Sequence, residues 1–236
     1  MRSLSSIVAL GIMLAALLAP GPAAARTAPR RGAAHKPRQF KIQVPFPCGT
    51  HVRVTCGYGA RAHRRVRSSM STNDFYALDL VRNQADNGAG EAVVAAAAGV
   101  VRKAGWAKRG LSAYGKMVYI EHDYRDSRGK KYYTLYAHLS RVTVKPGQRV
   151  EQGEEIGKMG GSSKRRRRVF GPHLHFAMYR GAKPYIGGGQ AVVPEPLGAW
   201  EDLHRRSRIV ACEAPEPLPV AAAPALGTDA YGGLTP

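Results

Sequence analysis

Acidic side chains are scarce in this 236-residue chain: 16 Asp and Glu stand against 36 Lys and Arg, a formal charge of +20. A surface that positive seeks polyanions such as nucleic acid, anionic lipid or the acidic polymers of a cell envelope. Aromatic residues are also few, at 8%, while Gly (27) and Pro (16) are plentiful. That balance argues for turns and short strands rather than a helical bundle. Collagen, coiled-coil and multi-span membrane architectures fail on composition, and 44% apolar residues is too many for wholesale disorder. The N-terminal apolar run, Ile7–Leu18, falls short of the ~20 residues a spanning helix needs, so no stable membrane span is expected.

That run has a second meaning. Arg2 precedes it, Pro20 ends it, and Ala23, Ala24 and Ala25 form a small-residue cleavage pattern. Residues 1–25 therefore read as a secretory signal peptide, and the protein as exported, to a periplasmic or extracellular destination. Export argues against nucleic acid as a specific partner. It also permits disulfides among only three cysteines. Cys48 and Cys56 flank a Gly49-Thr50 turn signal and can clamp a short hairpin, which leaves Cys212 unpaired; three reduced thiols are the alternative. Residues 26–38 read as a flexible basic linker, 39–212 as the folded domain, and 213–236 as a Pro/Ala-rich tail.

Within 39–212, short β-patterns recur. Phe40–Val44, His51–Thr55, Phe75–Val81, Ala92–Ala98, Gly99–Ala104, Lys116–His122, Lys131–His138 and His173–Tyr179 are expected strands. Asp126–Gly129 and Val144–Gly147 are expected turns, and only Leu197–Arg206 has a helical pattern. The expected fold is mostly β: an antiparallel sheet that needs a second layer to bury its core, as in a β-sandwich.

Histidines and one aspartate carry the chemistry. In Gly171-Pro172-His173-Leu174-His175-Phe176, strand alternation puts His173 and His175 on one face and sends Leu174 and Phe176 into the core. Taken alone, such a pair is equally a solvated surface feature. Asp79 sits in the apolar stretch Tyr76–Leu80, where a carboxylate needs a cationic partner or a metal. His138 ends a third strand just before a polar turn.

Together these stretches resemble the M23 family of zinc peptidases, the lysostaphin-like or LytM-like peptidoglycan endopeptidases. The carriers, in order, are Tyr76–Leu80, Gly90–Val101, Tyr114–His122, Tyr133–Ser140, Val144–Ser162 and Gly171–Phe176. The resemblance implies a LytM-type β-domain holding one zinc ion (Zn2+). It implies Asp79 and His175 as ligands, His173 as the base that takes a proton from the reacting water, and His138 as the group that orients that water and steadies the oxyanion. Zinc lowers the pKa of its water toward about 7 and polarises the scissile carbonyl, so the set makes chemical sense.

One position departs from the family. The first ligand histidine is usually four residues before the aspartate; here that residue is Phe75. His63, sixteen residues before Asp79, is the preferred substitute, because a loop of that length closes at modest entropy; His51 is the second choice. With neither in place, the domain would be a metal-free binder of wall or an activator of another hydrolase. Peptidoglycan is the implied partner of a monomer. Two basic runs, Arg61–Arg67 and Lys164–Arg168, would draw in an anionic envelope polymer. Val144–Met159 also has the look of a biotinyl or lipoyl hairpin around Lys158, but export and the missing acidic pattern beside that lysine weigh against a carrier domain.

Overall fold

The computed structural model describes residues 40–61, 63, 74–108, 111–163, 168–181 and 189–213. The expected signal segment, the basic linker, the tail beyond Glu213 and most of both arginine runs lie outside the described residues. Among those described there is no α-helix, only a single 3-10 turn at Ser112–Tyr114. No described helix is long and apolar enough to cross a membrane.

The described residues form thirteen strands in chain order: β1 (His51–Cys56), β2 (Leu78–Arg82), β3 (Ala92–Val94), β4 (Gly99–Trp106), β5 (Lys116–Arg125), β6 (Lys131–Leu139), β7 (Arg141–Val142), β8 (Arg149–Val150), β9 (Glu155–Lys158), β10 (Gly160–Ser162), β11 (Arg168–Arg180), β12 (Gln190–Val192) and β13 (Arg208–Val210). Ten of them form one antiparallel sheet whose path runs β13-β1-β2-β11-β6-β5-β4-β8, with β10 and β12 also paired to β11. The other three make a small sheet in the order β3-β9-β7.

Alternation along each strand divides the core in two. Val52, Val54, Leu78, Leu80, Val118, Ile120, Leu174 and Phe176 point one way, into a cluster shared with Val93 and Ile156 of the small sheet. Met117, Tyr119, Tyr133, Leu135, Ala137, Ala177 and Tyr179 point the other way. The two sheets thus sandwich the first cluster. The second cluster covers the opposite face of the large sheet, and that is the face to which Asp79 and His175 belong.

The expected turn Asp126–Gly129 is present, with Gly129 N–H bonded to Asp126 O at 2.9 Å; the one expected at Val144–Gly147 lies one residue further on, with Gln148 N–H bonded to Lys145 O at 3.1 Å. The expected strands Phe75–Val81 and Ala92–Ala98 are shorter, β2 starting only at Leu78 and β3 ending at Val94, and three further expectations need correction. Phe40–Val44 is not a strand; Ile42 makes one parallel bridge to Leu197. The adjoining Pro45 and Pro47 lack the N–H a ladder needs, while Ile42, Val44 and Phe46 are buried as loop anchors. Leu197–Arg206 is not helical, because its backbone enters the left-handed region at Gly198 (φ 70°), Asp202 (φ 54°) and Arg206 (φ 83°). The disulfide joins Cys48 to Cys212 and leaves Cys56 reduced. Antiparallel pairing explains it. The register His51↔Val210 draws the residues just outside each strand together, whereas Cys56 lies at the other end of β1.

Candidate metal centre

Strand register assembles the centre. Cys56 on β1 pairs with Asp79 on β2, Asp79 with His175 on β11, and His175 with Ala137 on β6. One lateral row across the sheet therefore sets Asp79 between a thiol and an imidazole. Plain alternation would put Cys56 on the face of Val52 and Val54; a register shift between Val54 and Cys56 turns it over.

His63 comes from the loop between β1 and β2. The N–H of Gly59 bonds to Phe75 O at 2.7 Å, which ties the start of that loop to its end beside β2. His63 then lies over Asp79, with Nε2 3.2 Å from Oδ1. His175 Nδ1 reaches the same oxygen at 3.0 Å. The two rings are 5.1 Å apart, edge to face, and both residues are buried. His51 starts β1 and is exposed, about 17 Å along the strand from Cys56 at ~3.3 Å per residue. Phe75 sits on the turn before β2 and has no ligand atom to offer.

His138 and His173 join the centre from its other side. Their ring centroids are 4.7 Å apart, and His138 lies 5.8 Å from His175. Ala137 already faces the centre, so a regular strand would turn His138 to the opposite face. Its positive φ of 64° brings the ring back. The bend after His138 packs on β10, where a Cβ on Gly160 would meet Ser140 N at 2.6 Å, so only glycine fits. His138 Nδ1 faces Ser162 O at 2.9 Å and His173 Nδ1 faces Gly171 O at 2.8 Å. A carbonyl only accepts, so each Nδ1 carries the proton and each Nε2 keeps its lone pair. Burial, then the charges of His175 and His173, pushes the His138 pKa down to about 3, so this ring is neutral at any working pH.

Asp79 and His175 hold complementary charge. Burial alone would raise the Asp79 pKa, but the His175 hydrogen bond and the His63 imidazole 3.2 Å away outweigh it and hold the carboxyl well below its usual range. Burial likewise opposes a charged His175, yet Asp74 and Asp79 on its two sides raise its pKa above that of an ordinary imidazole.

Asp74 was not among the sequence candidates. Its Oδ2 is 3.4 Å from His175 Nε2, and it accepts the hydroxyls of Tyr114 and Tyr179, each at 2.6 Å. Cys56 is the other omission; a ligand atom from each of Cys56, His63 and Asp79 lies within 4.8 Å of the other two. Burial and the Asp79 charge raise the Cys56 thiol pKa. An acidic residue just before an apolar strand and a cysteine in a β-run carry no spacing signal, so only the folded register reveals them.

The donor set fits zinc. Two imidazole nitrogens and a carboxylate oxygen are standard zinc donors. Both ring nitrogens of His63 are buried with no hydrogen-bond partner, an arrangement that is costly for a purely structural histidine.

Comparison with known proteins adds independent information. Residues 83–191 match Peptidase family M23, a stretch that contains His138, His173 and His175 but not His63 or Asp79. The chain is 41% identical over 87 residues to "Peptidoglycan DD-endopeptidase ShyC" of Vibrio cholerae, covering 37% of this chain and 17% of that protein. It is 30% identical over 149 residues to an "Uncharacterized metalloprotease" of Haemophilus influenzae, covering 63% and 25% respectively. The chain thus spans a quarter or less of the length of these two relatives. Among solved structures it resembles the catalytic domain of the M23 protein EnpA from Enterococcus faecalis, with a TM-score of 0.43 at 23% identity over 67% of this chain and 98% of that one.

Proposed function

The chain carries a peptidase family M23 domain, and on that premise we propose that it is an exported zinc endopeptidase that cuts peptide cross-links of peptidoglycan. The observation that carries the proposal is the convergence of His63 Nε2 and His175 Nδ1 on one oxygen of Asp79, at 3.2 and 3.0 Å, beside two further histidines. His63, Asp79 and His175 would hold the ion. When bound there, zinc supplies a Lewis acid for the scissile carbonyl and a water of lowered pKa.

The remaining chemistry belongs to the side chains. His173 is half-buried, and its Nδ1–H is given to Gly171 O, so Nε2 is the atom that takes the proton of the attacking water and passes it to the departing amine. His138, neutral and tied through Nδ1–H to Ser162 O, offers Nε2 as an acceptor and so holds the water in line. That tautomer gives no donor to an oxyanion, which supports the water-orienting half of its expected role over the other half. Phe170, 40% exposed and 4.9 Å from the His138 ring, supplies an apolar wall for a bound peptide. The DD-endopeptidase named among the relatives supports peptidoglycan as the substrate class.

The test is digestion of purified cross-linked peptidoglycan, read by chromatography and mass spectrometry. Cross-linked fragments should fall and uncrosslinked fragments rise with the wild-type chain. Neither change should occur with Asp79→Ala or His175→Ala. A wild-type, zinc-loaded chain that leaves every cross-link intact overturns the proposal.

A further inference from the structure

The proposed chemistry leaves Asp74 without a task, yet Asp74 is the most elaborately held carboxylate near the centre. We propose that Asp74 is a positioning residue: its Oδ2 would take the Nε2–H of His175 and so leave the lone pair of Nδ1 available to a metal. This rests on the reading of His175 as a ligand.

A neutral imidazole binds a metal through one nitrogen only when the proton sits on the other. With a metal on Nδ1, the nitrogen 3.0 Å from Asp79, the remaining proton of His175 must sit on Nε2, and Nε2 faces Asp74 at 3.4 Å. Asp74 cannot turn away. Tyr179 lies four residues after His175 on the same strand face and donates its hydroxyl to Oδ1; Tyr114 lies 5.6 Å from the His175 ring and donates to Oδ2. Tyr179 is fully buried. Two hydroxyls thus fix the carboxylate, and His175 Nε2, buried with no hydrogen-bond partner, stands 3.4 Å from Oδ2, which has a lone pair left for it. An asparagine there would have one acceptor oxygen and would present an NH₂ to at least one donor. Metal-bound histidines regularly give their second N–H to a carboxylate, and loss of such a partner costs about 10–100-fold in metal affinity.

The experiment compares the full chain with Asp74→Asn, Tyr179→Phe and Tyr114→Phe. Zinc affinity is read by chelator competition, and the His175 ring by ¹H–¹⁵N correlation spectra of the zinc-loaded protein. Asp74→Asn should weaken zinc binding by about 10–100-fold and shift the Nε2-bound proton of His175. Each Tyr→Phe change should move both readouts the same way by less, which keeps the test open if Asp74→Asn does not fold. Wild-type affinity together with an unmoved His175 resonance, in Asp74→Asn or in both phenylalanine variants, overturns the proposal. A wild-type chain that binds no zinc, or a His175→Ala chain that binds it normally, overturns the metallopeptidase reading and the role of Asp74 with it.

Discussion

His122 lies behind the proposed catalytic face, and its burial makes stability depend on pH in a calculable way. Its Nδ1 meets Ala98 O at 3.1 Å, which requires the proton there, and its Nε2 meets Thr134 Oγ1 at 2.8 Å. Thr134 is in turn 2.9 Å from the Tyr136 hydroxyl, which accepts the N–H of Ala96. The chain of bonds is complete with a neutral ring, and burial penalises a second proton more than the Asp123 carboxylate favours it. Burial accordingly lowers the His122 pKa from 6.5 to about 4. The unfolded chain binds a proton near pH 6.5 and the folded chain only near 4, so stability is full above that window and lost as pH falls through it. At 1.36 kcal/mol per pK unit the loss is about 3 kcal/mol. Urea unfolding in chelator, from pH 7 down to pH 4, should show wild type losing that much more than His122→Gln. His138 and the buried carboxylates titrate in both proteins and cancel in the difference. A wild-type-minus-variant difference that stays constant across the range refutes the reasoning.

Further outcomes follow from the same geometry. His173→Ala should keep its zinc and lose about 10²–10⁴ in turnover, the usual worth of a positioned base; normal wall hydrolysis would remove His173 from that role. His63→Ala should lose zinc affinity in chelator competition while His51→Ala should not, and the reverse order would move the ligand to the far end of β1. The Cys48–Cys212 bond closes a loop with a sequence separation of 164, so Cys48→Ser should cost about 5 kcal/mol of unfolding free energy on the chain-entropy account. An unchanged denaturation midpoint would show that the ends of β1 and β13 hold without it.

Much of this was legible because strand periodicity is a local property. Leu174 and Phe176 had to enter the core if His173 and His175 were to share a face, and Asp79 had to lie on the opposite side from Leu78 and Leu80. The same logic located Lys116–His122 and Lys131–His138, although β5 and β6 run further. What local pattern cannot convey is lateral neighbourhood. Which strands flank β2 decides that Cys56 and His175 meet Asp79, and which residues follow β13 decides the partner of Cys48. Asp74 precedes β2 outside any alternation, so its bond partners emerge only once Tyr114 and Tyr179 have been brought together from other strands. Backbone turning in Leu197–Arg206 was hidden for a different reason. Gly198 hinted at it, but left-handed Asp202 and Arg206 are imposed by packing rather than by intrinsic preference.

The central claim is a single ion held by His63, Asp79 and His175, and the X-ray absorption fine structure of the zinc-loaded chain at the zinc edge tests it most directly. The account predicts one zinc per chain in a shell of nitrogen and oxygen at about 2.0–2.2 Å, with the outer-shell scattering of two imidazoles, reduced to one in His63→Ala. A sulfur neighbour at about 2.3 Å, or a spectrum that His63→Ala leaves unaltered, contradicts it.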